Sequence, residues 1–248
     1  MINIKRKTEP PLSLQKEEIK NYLSDLAAYK LLPQPKRELS IIPKCKENYR
    51  NEDIFEAFDR DFYSKCYLTE KKYFNSYGMD IEHFRSKGFS QFPHLKYDWN
   101  NLFPADHDAN MLKPKNEPEG GYLNPCVDNV EEDLNQKLLE NGKSDFSPKN
   151  DTNLKAKNTA ALLNRIHNGH DFYSNKKAEN LRFEISKKVY KVRRVIMEWQ
   201  VAIQAKEQDL VQEKEIELKI MLSRKSAFTM LLRSIDSVRY NIPQNFLD

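Results

Sequence analysis

The feature that most constrains the fold is a long apolar periodicity in the last third of the chain. Between residues 181 and 203, apolar side chains recur every three or four positions, as they do on one face of an α-helix. The members of this stripe are Leu181, Ile185, Val189, Val192, Ile196, Trp199 and Ile203. The pattern predicts a helix that is continuous over this stretch, and Ser174 is a candidate for its N-terminal cap. We therefore expect a mostly α-helical protein.

Shorter patterns predict the remaining elements. Helices are expected where apolar residues follow helical spacing, at 12–27, 52–63, 159–166 and 228–238. Two extended stretches are expected at 72–74 and 79–84, and Asp106 or Asp108 can cap a short helix after the loop that follows. Residues 114–158 are rich in Asn, Pro, Gly and Asp, which predicts loops with a short helix near 130–139. The fold class is therefore α+β, with a small ββα centre inside a helical protein.

These patterns divide the chain into four segments. They are an N-terminal helical segment (1–65), a central ββα core (66–115), a segment of loops and short helices (116–175) and a C-terminal helical region (176–248). The C-terminal region is longer than a small core needs for its own folding. We therefore expect this region to dock a partner.

Composition excludes some classes of protein. Aromatic residues make up 11% of the 248 residues, which argues against disorder. The net charge of +4 is compatible with a nucleic-acid partner but does not require one. Residues 176–194 carry eight Lys or Arg against two Glu, and residues 207–217 carry five acidic residues against one Lys. This asymmetry favours either docking of charged partners or an ordinary solvated helix face.

The cysteines and the apolar runs bear on the cellular compartment. Cys45, Cys66 and Cys126 are odd in number and far apart, which fits a reducing environment rather than a disulfide framework. The N-terminal residues lack the apolar stretch of a signal peptide, and no run has the length of a membrane helix. We therefore expect a cytoplasmic protein that has no membrane partner.

Chemistry is concentrated in three polar residues at characteristic steps. His83 lies in an extended segment directly after Glu82, Asn101 follows eighteen positions later, and Asn110 comes nine positions after that. A histidine, a mid-loop asparagine and a third Asn or His at these steps are typical of HNH nucleases, in which two strands and a helix enclose one divalent cation. Taken alone the spacing is weak evidence, since an isolated histidine is more often structural.

The pattern assigns a role to each residue. His83 is the candidate general base that activates a water molecule, and Asn101 braces the backbone that positions it. Glu82 and Asn110 are the candidate metal ligands, and their oxygen atoms suit Mg²⁺ or Mn²⁺ better than Zn²⁺. Three cations can contact phosphate groups or can equally be solvated: Arg85, Lys87 and Lys113.

Longer blocks around these residues resemble one protein family. The blocks are residues 80–87 (DIEHFRSK), 97–104 (YDWNNLFP), 123–132 (LNPCVDNVEE) and 158–165 (NTAALLNR). In this order they resemble a bacterial HNH endonuclease family that includes the nuclease subunit of the Septu anti-phage system and the same effector found beside some retrons. The resemblance implies a nuclease that works with a separate ABC/SMC-like ATPase subunit. It implies a nucleic-acid substrate, with DNA favoured and RNA as the alternative.

One departure from the family concerns structural zinc. Many HNH proteins of this kind carry two Cys-x-x-Cys knuckles, but here the first retains only Cys66 and the second, at 106–109, has no cysteine. Zinc requires four nitrogen or sulfur ligands, so we expect no structural zinc and expect packing of large aromatics to replace it. A mixed site of Cys66, Asp106, His107 and Asp108 is the alternative. The candidate aromatics are Tyr67, Tyr73, Phe74, Phe84, Phe92, Tyr97, Trp99 and Phe103.

Two functions follow from the sequence. The first is a metal-dependent HNH endonuclease that acts as the effector of an anti-phage complex. The second is a non-catalytic scaffold or regulatory subunit whose HNH centre has decayed, which the missing zinc knuckles favour. Retention of Glu82, His83, Asn101 and Asn110 together favours the first.

Overall fold

The computed structural model describes residues 1–88, 92–139 and 142–248. The helices are α1 (Glu17–Leu31), α2 (Gln34–Leu39), α3 (Glu52–Phe62), α4 (His107–Leu112), α5 (Val130–Asp133), α6 (Leu154–Asn168), α7 (Phe172–Ala205), α8 (Gln208–Leu222), α9 (Thr229–Ser234) and α10 (Asp236–Arg239). The strands are β1 (Asp80–His83), β2 (Leu102–Ala105), β3 (Leu134–Leu138) and β4 (Ser144–Pro148). The predicted α+β, mostly helical class is confirmed.

The predicted long helix is α7, and it extends beyond the predicted range at its N-terminal end. Its cap is Asp171, whose carboxylate accepts a hydrogen bond from the Ser174 amide, while the Ser174 hydroxyl accepts one from the Asp171 amide. Ser174 therefore takes part in a capping box but is not the cap residue that the sequence predicted. The apolar stripe of α7 is largely buried, and α6 and α8 pack against the helix.

The α6–α7 connection depends on one glycine. Gly169 follows α6 with a φ of +72°, and a Cβ atom built there would lie 2.5 Å from the Asn175 backbone nitrogen. Only glycine avoids both the left-handed strain and this collision. The turn therefore brings the start of α7 close to the end of α6.

The central hairpin pairs β1 with β2 in antiparallel register, with Asp80 opposite Ala105 and His83 opposite Leu102. The strand predicted at 72–74 is wrong, because that segment forms only a bridge between Lys65 and Lys72. All four residues of β2 are buried and one is proline, so this strand lacks the alternation by which strands are recognised. Helix α4 follows β2 directly, giving the order strand, strand, helix.

Asp106 caps α4, as one of the two predicted alternatives. Its carboxylate accepts hydrogen bonds from the Asp108 and Ala109 amides. The cap fixes the point at which the chain leaves the hairpin, so that α4 lies against β1.

A second hairpin, β3–β4, lies in the segment that was expected to contain only loops and one short helix. The predicted helix at 130–139 ends after one turn at Asp133, and the chain continues directly as β3. The predicted C-terminal helix is likewise interrupted at Ile235, which is extended and separates α9 from α10. Both segments are short, and tertiary contacts determine their conformation.

The core beside the central hairpin is aromatic. Trp99 stacks on Phe58 of α3, and Phe103 of β2 contacts Phe62 and Tyr67. Most of the aromatics expected to pack in place of zinc are buried or half-buried, but Phe74 is fully exposed and that expectation is wrong for it. In the described part of the chain, no helix is long and apolar enough to cross a membrane.

Candidate active site

The central hairpin and α4 form the walls of a cleft of about 460 Å³. Five of the predicted site residues line it together: Glu82, His83, Lys87, Asn110 and Lys113. Lys87 belongs to the segment that follows β1. The structure therefore brings the candidate base, the candidate metal ligands and two of the candidate phosphate-binding cations to one cavity.

His83 is held in a single orientation. Its Nε2 atom lies 2.9 Å from the Lys96 carbonyl oxygen, and the Tyr49 ring packs edge-on against the imidazole at 5.0 Å between centroids. Since a carbonyl oxygen only accepts, Nε2 carries the proton and Nδ1 presents a lone pair. Burial, with a contribution from the positive charge of Lys87, lowers the pKa of His83 to about 4. The imidazole is therefore neutral at pH 7 and can accept a proton at Nδ1.

Asn101 joins the two segments that position His83. Its side-chain oxygen accepts a hydrogen bond from the Arg85 amide at 2.7 Å, and its side-chain nitrogen donates to the Arg85 and Leu95 carbonyls, each at 3.0 Å. Leu95 directly precedes Lys96, whose carbonyl fixes the histidine tautomer. Asn101 therefore joins the segment that follows His83 to the segment whose Lys96 carbonyl contacts the His83 ring.

Glu82 forms an ion pair with Lys113 across the hairpin and α4, with 2.5 Å between Nζ and Oε1. The side chains are 13% and 7% exposed. The Lys113 ammonium also donates to the His83 carbonyl at 3.2 Å and the Phe84 carbonyl at 2.7 Å. Burial raises the pKa of Glu82, and the positive charge of Lys113 opposes that shift. In this arrangement Lys113 neutralises the candidate metal ligand.

Asn110 contacts the carboxylate of Asp80 rather than that of Glu82, its predicted partner in metal binding. Its side-chain nitrogen donates to Asp80 Oδ2 at 3.0 Å, and His107 Nδ1 lies 2.9 Å from the same oxygen. Burial opposes ionisation of Asp80, but these two hydrogen bonds hold its pKa below its usual value. Asp80 and Glu82 are two positions apart on β1 and so share one face of the strand.

The two basic residues after β1 lie in different places. Lys87 contacts the hydroxyl of Tyr49, the residue that packs against His83. Arg85 pairs with Glu117 at 3.1 Å and lies over the Phe92 ring at 3.7 Å. Arg85 lines a neighbouring cleft of about 830 Å³ rather than the one that contains His83.

The oxygen atoms of the cleft suit an open divalent-cation site. Lys113 binds Oε1 of Glu82, which leaves Oε2, and Asn110 donates through its nitrogen, which leaves its amide oxygen. One carboxylate and one amide oxygen are hard ligands, and Mg²⁺ commonly uses one or two carboxylates together with waters and phosphate oxygens. Glu82 and Asn110 carry oxygen ligands of this kind, and a bound cation would have to share the Glu82 carboxylate with Lys113.

The residues of the alternative mixed zinc site have other partners. Asp106 caps α4 and accepts a hydrogen bond from Tyr73, and His107 pairs with Asp80. Cys66 is buried and accepts a hydrogen bond from the Thr69 amide. Within the described ranges, no three His, Cys, Asp or Glu residues are grouped so that they could hold a metal ion.

Sequence reasoning missed three residues that contact the predicted site residues. Tyr49 and Lys96 contact the His83 ring, and Asp80 engages Asn110. Asp80 could have been found, because strand alternation places it on the same face as Glu82. The others act through tertiary contacts or backbone atoms, which leave no local pattern.

Comparisons with known proteins identify no relative of this chain. No family model matches the chain, and searches of curated proteins and of solved structures find no significant match.

Proposed function

We propose that this protein is a metal-dependent HNH endonuclease that hydrolyses phosphodiester bonds of nucleic acid. The observation that carries the proposal is the state of His83. Its Nε2–H is committed to the Lys96 carbonyl, its pKa is lowered to about 4, and its ring borders a cleft that contains cations. A neutral imidazole whose Nδ1 has no hydrogen-bond partner among the described residues is the form that a general base requires.

The order of elements supports the proposal independently. His83 ends the first strand of an antiparallel pair, Asn101 directly precedes the second strand, and Asn110 lies on the helix that follows. This arrangement and the four sequence blocks that resemble the HNH family point to the same residues.

The chemistry assigned to the residues is hydrolysis. His83 Nδ1 takes a proton from water, the water oxygen bonds to phosphorus, and the bond from phosphorus to the leaving oxygen breaks. Glu82 and Asn110 would hold the divalent cation, which when bound supplies positive charge against the phosphate oxygens. Lys87 lies in the same cleft and attracts the phosphate backbone.

The test is cleavage of plasmid DNA and of total RNA in Mg²⁺ or Mn²⁺ by the wild-type protein and by His83→Ala. Loss of a general base lowers the rate by roughly 10²–10⁴-fold. His170→Ala is the control, because His170 lies outside the cleft, near the start of α7. A wild-type rate in His83→Ala, or equal losses in both variants, contradicts the proposal.

A second candidate function is a scaffold or regulatory subunit without catalysis. The observation that favours it is the Glu82–Lys113 ion pair, because a lysine ammonium occupies the carboxylate that a cation would need. Mn²⁺ binding by calorimetry separates the two functions. If the protein is a nuclease, the wild type should bind Mn²⁺ and Glu82→Gln should bind it more weakly. If the protein is a scaffold, the wild type should bind Mn²⁺ no better than Glu82→Gln does.

We also propose that the protein is the effector subunit of an anti-phage complex with an ATPase. The sequence resemblance identifies the class of partner, and an apolar stripe on the outer face of α7 supports docking. Phe183, Tyr190 and Met197 recur there every seven residues, and each is more than 60% exposed. Serine substitution of all three should abolish co-purification with a co-expressed neighbouring ATPase, while Tyr240→Ser, another exposed aromatic, should not.

A further inference from the structure

A third cleft, of about 730 Å³, shares no lining residue with the cleft that contains His83. Residues of α7 and α8 and the segment between α8 and α9 form its walls, with the last residues of the chain. Its distinguishing feature is a set of four lysines from four separate segments: Lys72, Lys188, Lys219 and Lys225. We call it the lysine cleft.

Among the described residues, no carboxylate lies within ion-pair distance of the four lysines of the cleft. In the part of the chain that the structure describes, none of the four lysines forms an ion pair, whereas Lys191 and Lys214 on the same two helices pair with Glu217 and Glu198. Asp248 also borders the cleft, but its side chain pairs with Arg233 at 2.5 Å. Glu217 of α8 and Glu198 of α7 therefore pair with lysines outside the cleft, and the four cleft lysines keep their positive charge.

Lys72, Lys219 and Lys225 are exposed at the rim of the cleft, Lys188 is half-buried, and three of the four have further contacts within the protein. Lys72 donates to the Lys225 carbonyl at 2.9 Å, and the Lys219 ammonium lies 4.8 Å from the centre of the Phe246 ring. Lys188 is partly buried, and burial together with the charges of Lys191 and Lys72 lowers its pKa. Like charges brought together without a counter-charge destabilise the folded state, and a bound anion would remove that cost.

We propose that the lysine cleft binds phosphate groups, supplied either by the backbone of a nucleic acid or by the polyphosphate of a nucleotide. Several lysine ammonium groups around one cavity match the multiple charge of such a ligand. The hydroxyls of Ser223 and Ser226 line the same cavity and can donate hydrogen bonds to phosphate oxygens. The inference does not depend on catalysis by His83.

The test measures binding in EDTA, which removes divalent cations and makes the result independent of cleavage. The ligands are a fluorescent 20-base-pair DNA duplex, an RNA of equal length and inorganic triphosphate. The variant is Lys188→Gln/Lys219→Gln. Its matched control is Lys176→Gln/Lys187→Gln, which removes the same charge from exposed positions of α7 outside the cleft.

Loss of two phosphate contacts should weaken binding at least about tenfold. For the duplex, it should also reduce the slope of log affinity against log salt by about 2. A loss for DNA or RNA places the nucleic-acid backbone in the cleft, and a loss confined to triphosphate identifies a nucleotide site. The proposal is overturned if the cleft variant binds every ligand as the control does, or if the wild-type protein binds none.

Thermal unfolding gives a second measurement of binding. At one ligand concentration, the ligand should raise the melting temperature of the wild-type protein and of the control more than that of the cleft variant. Without ligand, the cleft variant should melt no lower than the wild type, because it removes like-charge repulsion. A melting temperature that rises equally with ligand in all three proteins contradicts the proposal.

Discussion

Substitution of Asn101 by alanine should destabilise the protein strongly, because this side chain joins β1 to the loop that holds His83. The side chain is 3% exposed and makes three hydrogen bonds to backbone groups. Each bond contributes about 0.5–1.5 kcal/mol, so their loss should lower the free energy of unfolding by about 3 kcal/mol. For a chain of 248 residues this corresponds to a fall in melting temperature of about 6–12 °C.

The assay is urea and thermal unfolding followed by circular dichroism, with Asn100→Ala as the control. Asn100 is the adjacent residue, has the same side chain and is exposed, so its substitution should change stability by less than about 0.5 kcal/mol. Asn101→Asp keeps the acceptor for the Arg85 amide but places a carboxylate against two carbonyls, so it should not restore stability. Equal stability of the two alanine variants would refute this explanation of how His83 is positioned.

Two further predictions concern buried titratable groups. Lys113→Met leaves the Glu82 carboxylate without its lysine partner and should lower the free energy of unfolding by roughly 3 kcal/mol. Adding Glu82→Gln to this variant should recover most of the lost stability. A double variant that is no more stable in urea than Lys113→Met would contradict the assigned ion pair. His167 is fully buried, and burial lowers its pKa to about 3. Since the unfolded chain takes up this proton near pH 6.5, the stability due to neutral His167 is complete above that pH. It is lost, by up to about 1.4 kcal/mol per pH unit, as the pH falls towards 3. Urea unfolding of His167→Leu between pH 7 and 4 should show a shallower fall than the wild type, and parallel curves would contradict the prediction.

The sequence predicted the placement of the candidate site residues on their elements better than it predicted the strands around them. His83, Asn101 and Asn110 were selected by their spacing together with the surrounding blocks that resemble the HNH family, and the structure brings the first and last to one cleft, with Asn101 bonded to backbone groups between them. Long amphipathic helices such as α7 were equally clear, because helical periodicity accumulates over many residues. These features depend on order along the chain, which a sequence displays directly.

The features of the fold and of the site that the sequence did not predict depend on contacts between distant segments. β2 is buried on both faces and contains Pro104, so no alternation marks it, and its pairing with β1 determines its conformation. The Glu82–Lys113 pair joins residues thirty-one positions apart, and the Lys96 carbonyl that holds His83 belongs to the backbone, which is the same for every residue type. Such contacts follow from the fold and leave no pattern in the sequence.

Chemical rescue of His83→Ala by imidazole tests the central claim most directly. The substitution opens space beside a cleft of about 460 Å³, so free imidazole can reach the position of the missing ring. If Nδ1 of His83 is the general base, cleavage by the variant should be lost and then restored in proportion to the concentration of neutral imidazole, with no rescue of Glu82→Gln. Wild-type cleavage by His83→Ala without imidazole, or no rescue of an otherwise folded variant that binds nucleic acid, would contradict the claim.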